Sequence, residues 1–196
     1  VNLRGSSLSN NANLYIGDSP WYNTALGRMD DVRLYGRALS ANEVSTLVGP
    51  IDTGCDASGN ITADFWYDAP GNNIEDLPIG RTPDEKKVLT VFETPVDAND
   101  NYGVRVRGIV CAPATGKYTF WIASDDNGEL WVSTDDNPDN KKKVAFVPGW
   151  TNAREWTKFA SQKSVQITLE KGKKYYVEAL MKEGGGGDNL SVGWTL

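Results

Sequence analysis

The run Gly116-Lys-Tyr-Thr-Phe-Trp-Ile-Ala-Ser-Asp-Asp-Asn-Gly-Glu-Leu-Trp131 decides the fold. Its first half is aromatic and β-branched, which predicts a strand over residues 118–123, and its end predicts another over 129–133. Between them Asp125 and Asp126 precede Asn127-Gly128, a strong tight-turn pair. The two carboxylates are therefore expected at one end of a β layer. Working outward, short β-branched or aromatic runs bounded by Gly, Pro, Asn or Asp predict further strands at 13–16, 31–35, 102–110, 165–169, 175–181 and 190–196. The one clear helix start is Ser40 followed by Glu43, where the two side chains can cap each other's free amides. The expected fold class is all-β, an antiparallel β-sandwich.

Composition narrows the chemistry. The 196 residues include no histidine, which removes Ser-His-Asp and Cys-His nucleophiles and every histidine-ligated zinc or iron centre. A net charge of -6 opposes nucleic-acid binding, which draws on clustered Lys and Arg. The basic run Lys141 to Lys143 reads as a solvated loop beside Asp135, Asp136 and Asp139, and Asp135-Asp136 itself as an Asx-type turn. No apolar run reaches about 18 residues, and no basic-then-apolar segment opens at Val1. Neither membrane insertion nor a retained signal peptide is expected. The cysteines, Cys55 and Cys111, are too few for a zinc site and too far apart for a redox C-x-x-C pair. They predict a disulfide and an oxidising, extracellular setting; the alternative is a pair of buried free thiols. Trp121, Trp131, Trp156 and Trp194 fall on or beside strand patterns and are expected in the core.

The pair Gly49-Pro50 and the new start at Gly54-Cys55 divide the chain into residues 1–48, a linker at 49–54, and residues 55–196. About 50 residues with two or three strands cannot bury a self-sufficient core, so the first segment reads as the end of something larger.

Two resemblances sharpen this. Residues 13–47, with Gly27-Arg-Met-Asp-Asp-Val-Arg-Leu-Tyr35 at their centre, resemble the final strands of a laminin-G-like, concanavalin-A-like jelly roll. There Asp30 and Asp31 belong to a structural strand. In the second segment, Val104-Arg-Val-Arg-Gly-Ile-Val110 and the opening run, then Leu169-Glu-Lys-Gly-Lys-Lys-Tyr-Tyr-Val-Glu-Ala-Leu180 with Gly184-Gly-Gly-Gly-Asp-Asn-Leu-Ser-Val-Gly-Trp194, resemble the central and closing strands of the PA14 domain, named after anthrax protective antigen. This resemblance implies a β-sandwich often devoted to glycan binding, and a cis peptide between Asp125 and Asp126 that turns both carboxylates onto one calcium ion.

Two aspartates supply only part of the six to eight oxygens that calcium takes. The loop 184–189 is the expected source of the rest. Asp188 or Asn189 are the candidate side-chain ligands and Leu190 a candidate carbonyl ligand. Gly184, Gly185, Gly186 and Gly187 would let backbone approach ion or sugar, and Trp150 is the aromatic face expected to orient the glycan. The tetraglycine has no following Lys-Ser or Lys-Thr and is not a phosphate loop. The expected function is calcium-dependent glycan binding by a secreted or cell-surface module of a larger multidomain protein, without catalysis. Two other readings stand beside it. One is a structural or protein-contacting spacer in which calcium only stiffens loops. The other is a glycosidase that uses Asp125, Asp126 or Glu129 as its acid pair.

Overall fold

The structure is a computed structural model that describes residues 35–40, 43, 55 and 60–196. The expected strands at 13–16 and 31–34, the Asp30–Asp31 pair and the linker residues 49–54 lie outside the described residues. The chain divides into two compact units, residues 1–50 and 51–196. In the first, the capping pair forms as expected. The Ser40 amide donates to Glu43 Oε2 (2.9 Å) and the Glu43 amide to Ser40 Oγ (3.3 Å), while Arg37 bonds the same carboxylate.

The second unit is a β-sandwich of two antiparallel sheets. Its strands are β1 (Ile61–Trp66), β2 (Glu85–Leu89), β3 (Tyr102–Cys111), β4 (Gly116–Asp125), β5 (Asn127–Val132), β6 (Lys142–Val147), β7 (Ile167–Leu169), β8 (Lys174–Glu183) and β9 (Asn189–Thr195). The larger sheet runs β2-β1-β3-β8-β5-β6 and the smaller β7-β4-β9. Successive side chains along a strand alternate between faces. Thus Phe65, Val104, Val106, Leu130, Val132, Val177, Ala179 and Met181 face inward from the larger sheet onto Tyr118, Phe120, Ile122 and Leu190 of the smaller, forming one core. Trp66 and Leu180 point to the outer face, where they make a second cluster with Leu77 and Ile74.

Six of the expected strands are present, and three others were not anticipated. β1 was hidden by Asp64, a poor strand former. The fold accommodates it by burying its carboxylate against Arg105 (2.7 Å) and Arg107 (2.9 Å) on neighbouring β3. β6 corrects the reading of Lys141–Lys143 as a solvated loop. The run opens a strand, with Lys141 and Lys143 anchored by Glu178 and Glu129, both at 2.7 Å. Asp135 does form an Asx-type turn, accepting from the Asn137 amide at 2.9 Å.

The tryptophans are a further correction. Trp121, Trp131 and Trp156 are half-buried and Trp194 is exposed. Trp121 lies opposite Gly193 on β9, and the Trp156 ring passes 3.6 Å from where a Gly193 Cβ would stand. Cys55 and Cys111 form a disulfide, Cα to Cα 5.6 Å, across a separation of 56 residues. In the chain-entropy account, closing so long a loop stabilises by about 4 kcal/mol. Replacing both cysteines with serine is therefore expected to lower the unfolding free energy by roughly that amount in denaturant titration.

Candidate functional site

The Asn127-Gly128 pair does not close a hairpin. β4 belongs to the smaller sheet and β5 to the larger, so the Asp125–Asp126 peptide, which is cis, carries the chain across the sandwich. Gly128 is required there for close approach, since a Cβ would stand 2.5 Å from Ser124 Oγ. A second crossing lies beside the first. β8 of the larger sheet ends at Glu183, and residues 184–188 carry the chain to Asn189, which opens β9 opposite Asp125. Directly paired residues of an antiparallel ladder share a face, so Asp125 and Asn189 project together.

These two crossings gather the site. One carboxylate oxygen from each of Asp125, Asp126 and Glu183 lies within 4.8 Å of the others. Glu183 was not anticipated, because the expected strand stopped at Met181. Carrying its alternation two residues further places position 183 on the inward face with Met181, which is the signal that would have found it. Glu183 is fully buried, and neither of its oxygens has a hydrogen bond of ordinary geometry. The Asp126 amide faces it and favours its charged form only weakly against burial. Asn189 is also buried. Its Nδ2 donates to the Thr151 carbonyl at 2.8 Å, while its Oδ1 has no partner among the described residues.

Crowding shows in the acidities. Burial first, then the Asp126 charge, pushes Asp125 up to about 6, with Asp188 and Asp97 adding and Lys158 opposing. Burial, then Asp126 and Asp125, pushes Glu183 up to about 7.

Asp188 sits in the next ring outward. Its Oδ2 accepts from the amides of Ala98 (2.6 Å) and Asn99 (2.9 Å), and its Oδ1 from the Tyr102 hydroxyl (2.7 Å). It thereby fastens a third loop, residues 97–101, to the site. The Leu190 side chain is core, and its carbonyl, with two lone pairs, accepts one hydrogen bond, from the Thr94 amide at 2.9 Å.

The four glycines lie along the second crossing. The Gly184 amide donates to Asp126 Oδ2 at 3.1 Å and the Gly186 amide to Asp100 Oδ1 at 3.0 Å. Gly186 has φ of 120°, a conformation closed to L side chains. Gly187 lies close to Asp97 Oδ1 and Asp125 Oδ2, 3.2 and 3.6 Å from where its Cβ would be. Trp150 is 52% exposed. It is held near the site by the next residue, since Thr151 bonds Ser124 through both backbone and hydroxyl and accepts from Asn189. The Lys158 ammonium lies over the Trp150 ring. Glu129 is elsewhere, on the larger sheet, bonded to Lys143 and to the Trp131 indole.

The carboxylates of Asp125, Asp126 and Glu183 converge, and Asn189 pairs with Asp125 on the facing strand. All offer hard oxygens, and three of these, both of Glu183 and Oδ1 of Asn189, are buried without a hydrogen-bond partner among the described residues. Such groups are costly to leave unmatched, and a hard divalent cation matches them all.

Comparison with known proteins agrees with the architecture. The epithelial adhesin 9 A domain of Candida glabrata, solved with Galβ1-4GlcNAc, superposes with a TM-score of 0.50 at 13% identity, over 69% of this chain and 80% of that one. The PA14 domain of the MpAFP antifreeze protein gives 0.51 at 12% identity, over 72% and 85%. At these identities the likeness is one of fold. Among curated sequences, a stretch of 99 residues is 41% identical to the Mus musculus N-acetyl-beta-glucosaminyl-glycoprotein 4-beta-N-acetylgalactosaminyltransferase 1, covering 48% of this chain. A stretch of 84 residues is 32% identical to Mus musculus fibrocystin-L, covering 43% of this chain. The matched stretches span 10% of the first relative and 2% of the second. Residues 2–45 match the sequence model of the concanavalin A-like lectin/glucanases superfamily. The PA14 domain model matches residues 56–196, the whole of the sandwich that carries the carboxylate cluster, and the chain belongs to the PA14 domain family.

Proposed function

We propose that residues 55–196 form a non-catalytic module that binds glycan through a calcium ion held by Asp125, Asp126, Glu183 and Asn189. The observation that carries this reading is the buried Glu183 carboxylate, unpartnered and crowded by two further carboxylates at the end of the sandwich. When bound, calcium supplies a positive centre with coordination positions left for two vicinal sugar hydroxyls. Asn189 takes the inner place and Asp188 the outer one, because the Asp188 oxygens already organise residues 97–101. Trp150 supplies the face on which a pyranose ring stacks, once Lys158 swings off it. The solved adhesin bound to Galβ1-4GlcNAc supports glycan as the ligand class. The disulfide supports an oxidising, extracellular setting. We place residues 1–48 as the end of a laminin-G-like domain, joined through 49–54, and the whole chain within a larger surface protein.

The deciding experiment is titration of the chain against a glycan array, in calcium and again in chelator. Glycan binding is expected in calcium and lost in chelator. Calcium uptake without any glycan binding would instead establish the spacer reading. Glu183→Gln and Asp126→Asn are each expected to weaken calcium binding by about tenfold or more. Trp150→Ala is expected to weaken sugar binding about fivefold and to leave calcium affinity unchanged.

Acidity adds a signed test. A carboxyl whose folded value lies above its unfolded value is cost-free when protonated and costs stability once ionised, so the ion-free protein loses stability as pH rises from about 4.5 through about 7 at Glu183. In chelator, Glu183→Gln is expected to melt higher than wild type at pH 8 and alike at about pH 4. In calcium at pH 8 the order should reverse. A melting difference independent of both pH and calcium would show that Glu183 is not part of the site.

A further inference from the structure

The sequence holds two Asn-x-Ser/Thr triplets with no proline at the middle position, Asn60-Ile61-Thr62 and Asn189-Leu190-Ser191. Such a triplet is the acceptor for an N-linked glycan, a bulky polar group that belongs on a surface. The fold treats the two in opposite ways. Asn189 is 4% exposed and Ser191 2%. The atom that would take the sugar, Asn189 Nδ2, donates to the Thr151 carbonyl at 2.8 Å. A glycan there would break that buried bond and push β9 off its neighbours, so the folded chain has no room for one.

Asn60 is exposed, one residue ahead of β1. Ile61 packs onto the core with Ala63 and Phe65. Alternation turns Thr62 to the outer face, and the position of Asn60 continues that face. Space is kept beside it by Gly108 on β3, where a Cβ would stand 3.7 Å from the Asn60 carbonyl oxygen. The surroundings on this face are apolar and bare. Val88 on β2, paired with Thr62, is 64% exposed, and Ile109, two residues along β3 from Thr62's other partner Arg107, is 44% exposed. β2 is also an open edge of the larger sheet, a feature that invites association unless it is covered. The opposite end of β1 is the one that meets the carboxylate cluster, since Trp66 pairs with Gly103 and the neighbouring Tyr102 with Glu183. Six residues of strand at about 3.3 Å each set Asn60 about 20 Å from that end.

We propose that Asn60 is a site of N-linked glycosylation, that Asn189 stays unmodified, and that the Asn60 glycan covers the apolar surface of β2 and β3 away from the carboxylate cluster. The donor is a lipid-linked oligosaccharide diphosphate. Asn60 Nδ2 bonds to the anomeric carbon of the first sugar as the bond from that carbon to the diphosphate oxygen breaks. The electron pair of the broken bond leaves with the lipid diphosphate, which takes up the amide proton, and nothing is oxidised or reduced. The inference rests on the extracellular setting that the disulfide supports and is independent of the calcium–glycan reading.

The test is secretion of the full chain from a eukaryotic cell line, followed by peptide mapping before and after peptide-N-glycosidase treatment. One glycan is expected, on Asn60, and its enzymatic release should leave an aspartate at that position. The peptide carrying Asn189 should be unmodified. Asn60→Gln and Thr62→Ala should each lose the glycan, whereas Thr62→Ser should keep it. An unmodified Asn60 in a chain whose cysteines are paired, or a glycan on Asn189, overturns the inference alone. An unmodified chain with free thiols overturns the extracellular setting and the inference with it. In sedimentation, the enzymatically deglycosylated chain should self-associate at concentrations where the glycosylated one is monomeric. Identical behaviour of the two forms overturns the covering role.

Discussion

Like-charge crowding at one end of the sandwich is the constraint from which the remaining features of the site follow. Asp125, Asp126 and Glu183 bring carboxylate oxygens within 4.8 Å of one another. At that separation two unit charges repel by roughly 3 kcal/mol at an effective dielectric of about 20, less where Asp125 and Asp126 meet solvent. No arginine or lysine forms an ion pair with any of the three among the described residues. Lys182, the nearest basic neighbour in sequence, directs its ammonium to the carbonyls of Gly71 and Glu183. Its own acidity is raised by burial, which keeps its pKa below the usual lysine range. Among the described residues the three acids are thus kept together without an ion-pair partner, with Lys158 acting on Asp125 only at a distance.

Holding them requires structure on both sides of each acid. Two sheet crossings run side by side, and each is fastened to the other: the Gly184 amide bonds Asp126, and Asn189 bonds the Thr151 carbonyl while Thr151 bonds Ser124. Asp188 then ties in residues 97–101 through two amides and a tyrosine hydroxyl. Burial and the Asp188 charge together hold the Tyr102 hydroxyl far above the ordinary phenol range, so it remains a donor. The result is a set of acids whose positions are fixed before any ligand arrives, which lowers the ordering cost of binding.

Sequence made the sandwich legible because its core strands alternate cleanly, as in Tyr118, Phe120 and Ile122 against Leu190 and Val192. It concealed β1 and β6 for a physical reason: Asp64 and Lys142–Lys143 break local strand propensity, and the ion pairs that compensate come from residues distant along the chain. At the site, Asp125, Asp126 and Asn189 could be picked out by residue type and position between strands. Glu183 could not be picked out by residue type, since a glutamate at a strand end is ordinarily solvated, and only its register assigns it to the inside. The same limit explains Asn127-Gly128. The dipeptide signals a tight turn, but local chemistry does not say whether the strand beyond returns to the same sheet or crosses to the other.

The same geometry argues against hydrolysis. Glycosidases set two carboxyls about 5 to 9.5 Å apart, one on each side of the scissile bond, and keep one of them protonated. Here Glu183 and Asp125 are raised, which taken alone suits a general acid. Their oxygens, however, lie with those of Asp126 inside a single 4.8 Å cluster, leaving no room for a sugar linkage between them. Glu129, the next carboxylate along the chain, is turned to the outer face and held by Lys143 and Trp131. The elevated pKa values also arise in part from mutual repulsion, so a cation that binds the cluster would abolish the protonated acid that hydrolysis needs. Three carboxylates drawn into one cluster suit the holding of a cation better than the separated acid and base of a hydrolase.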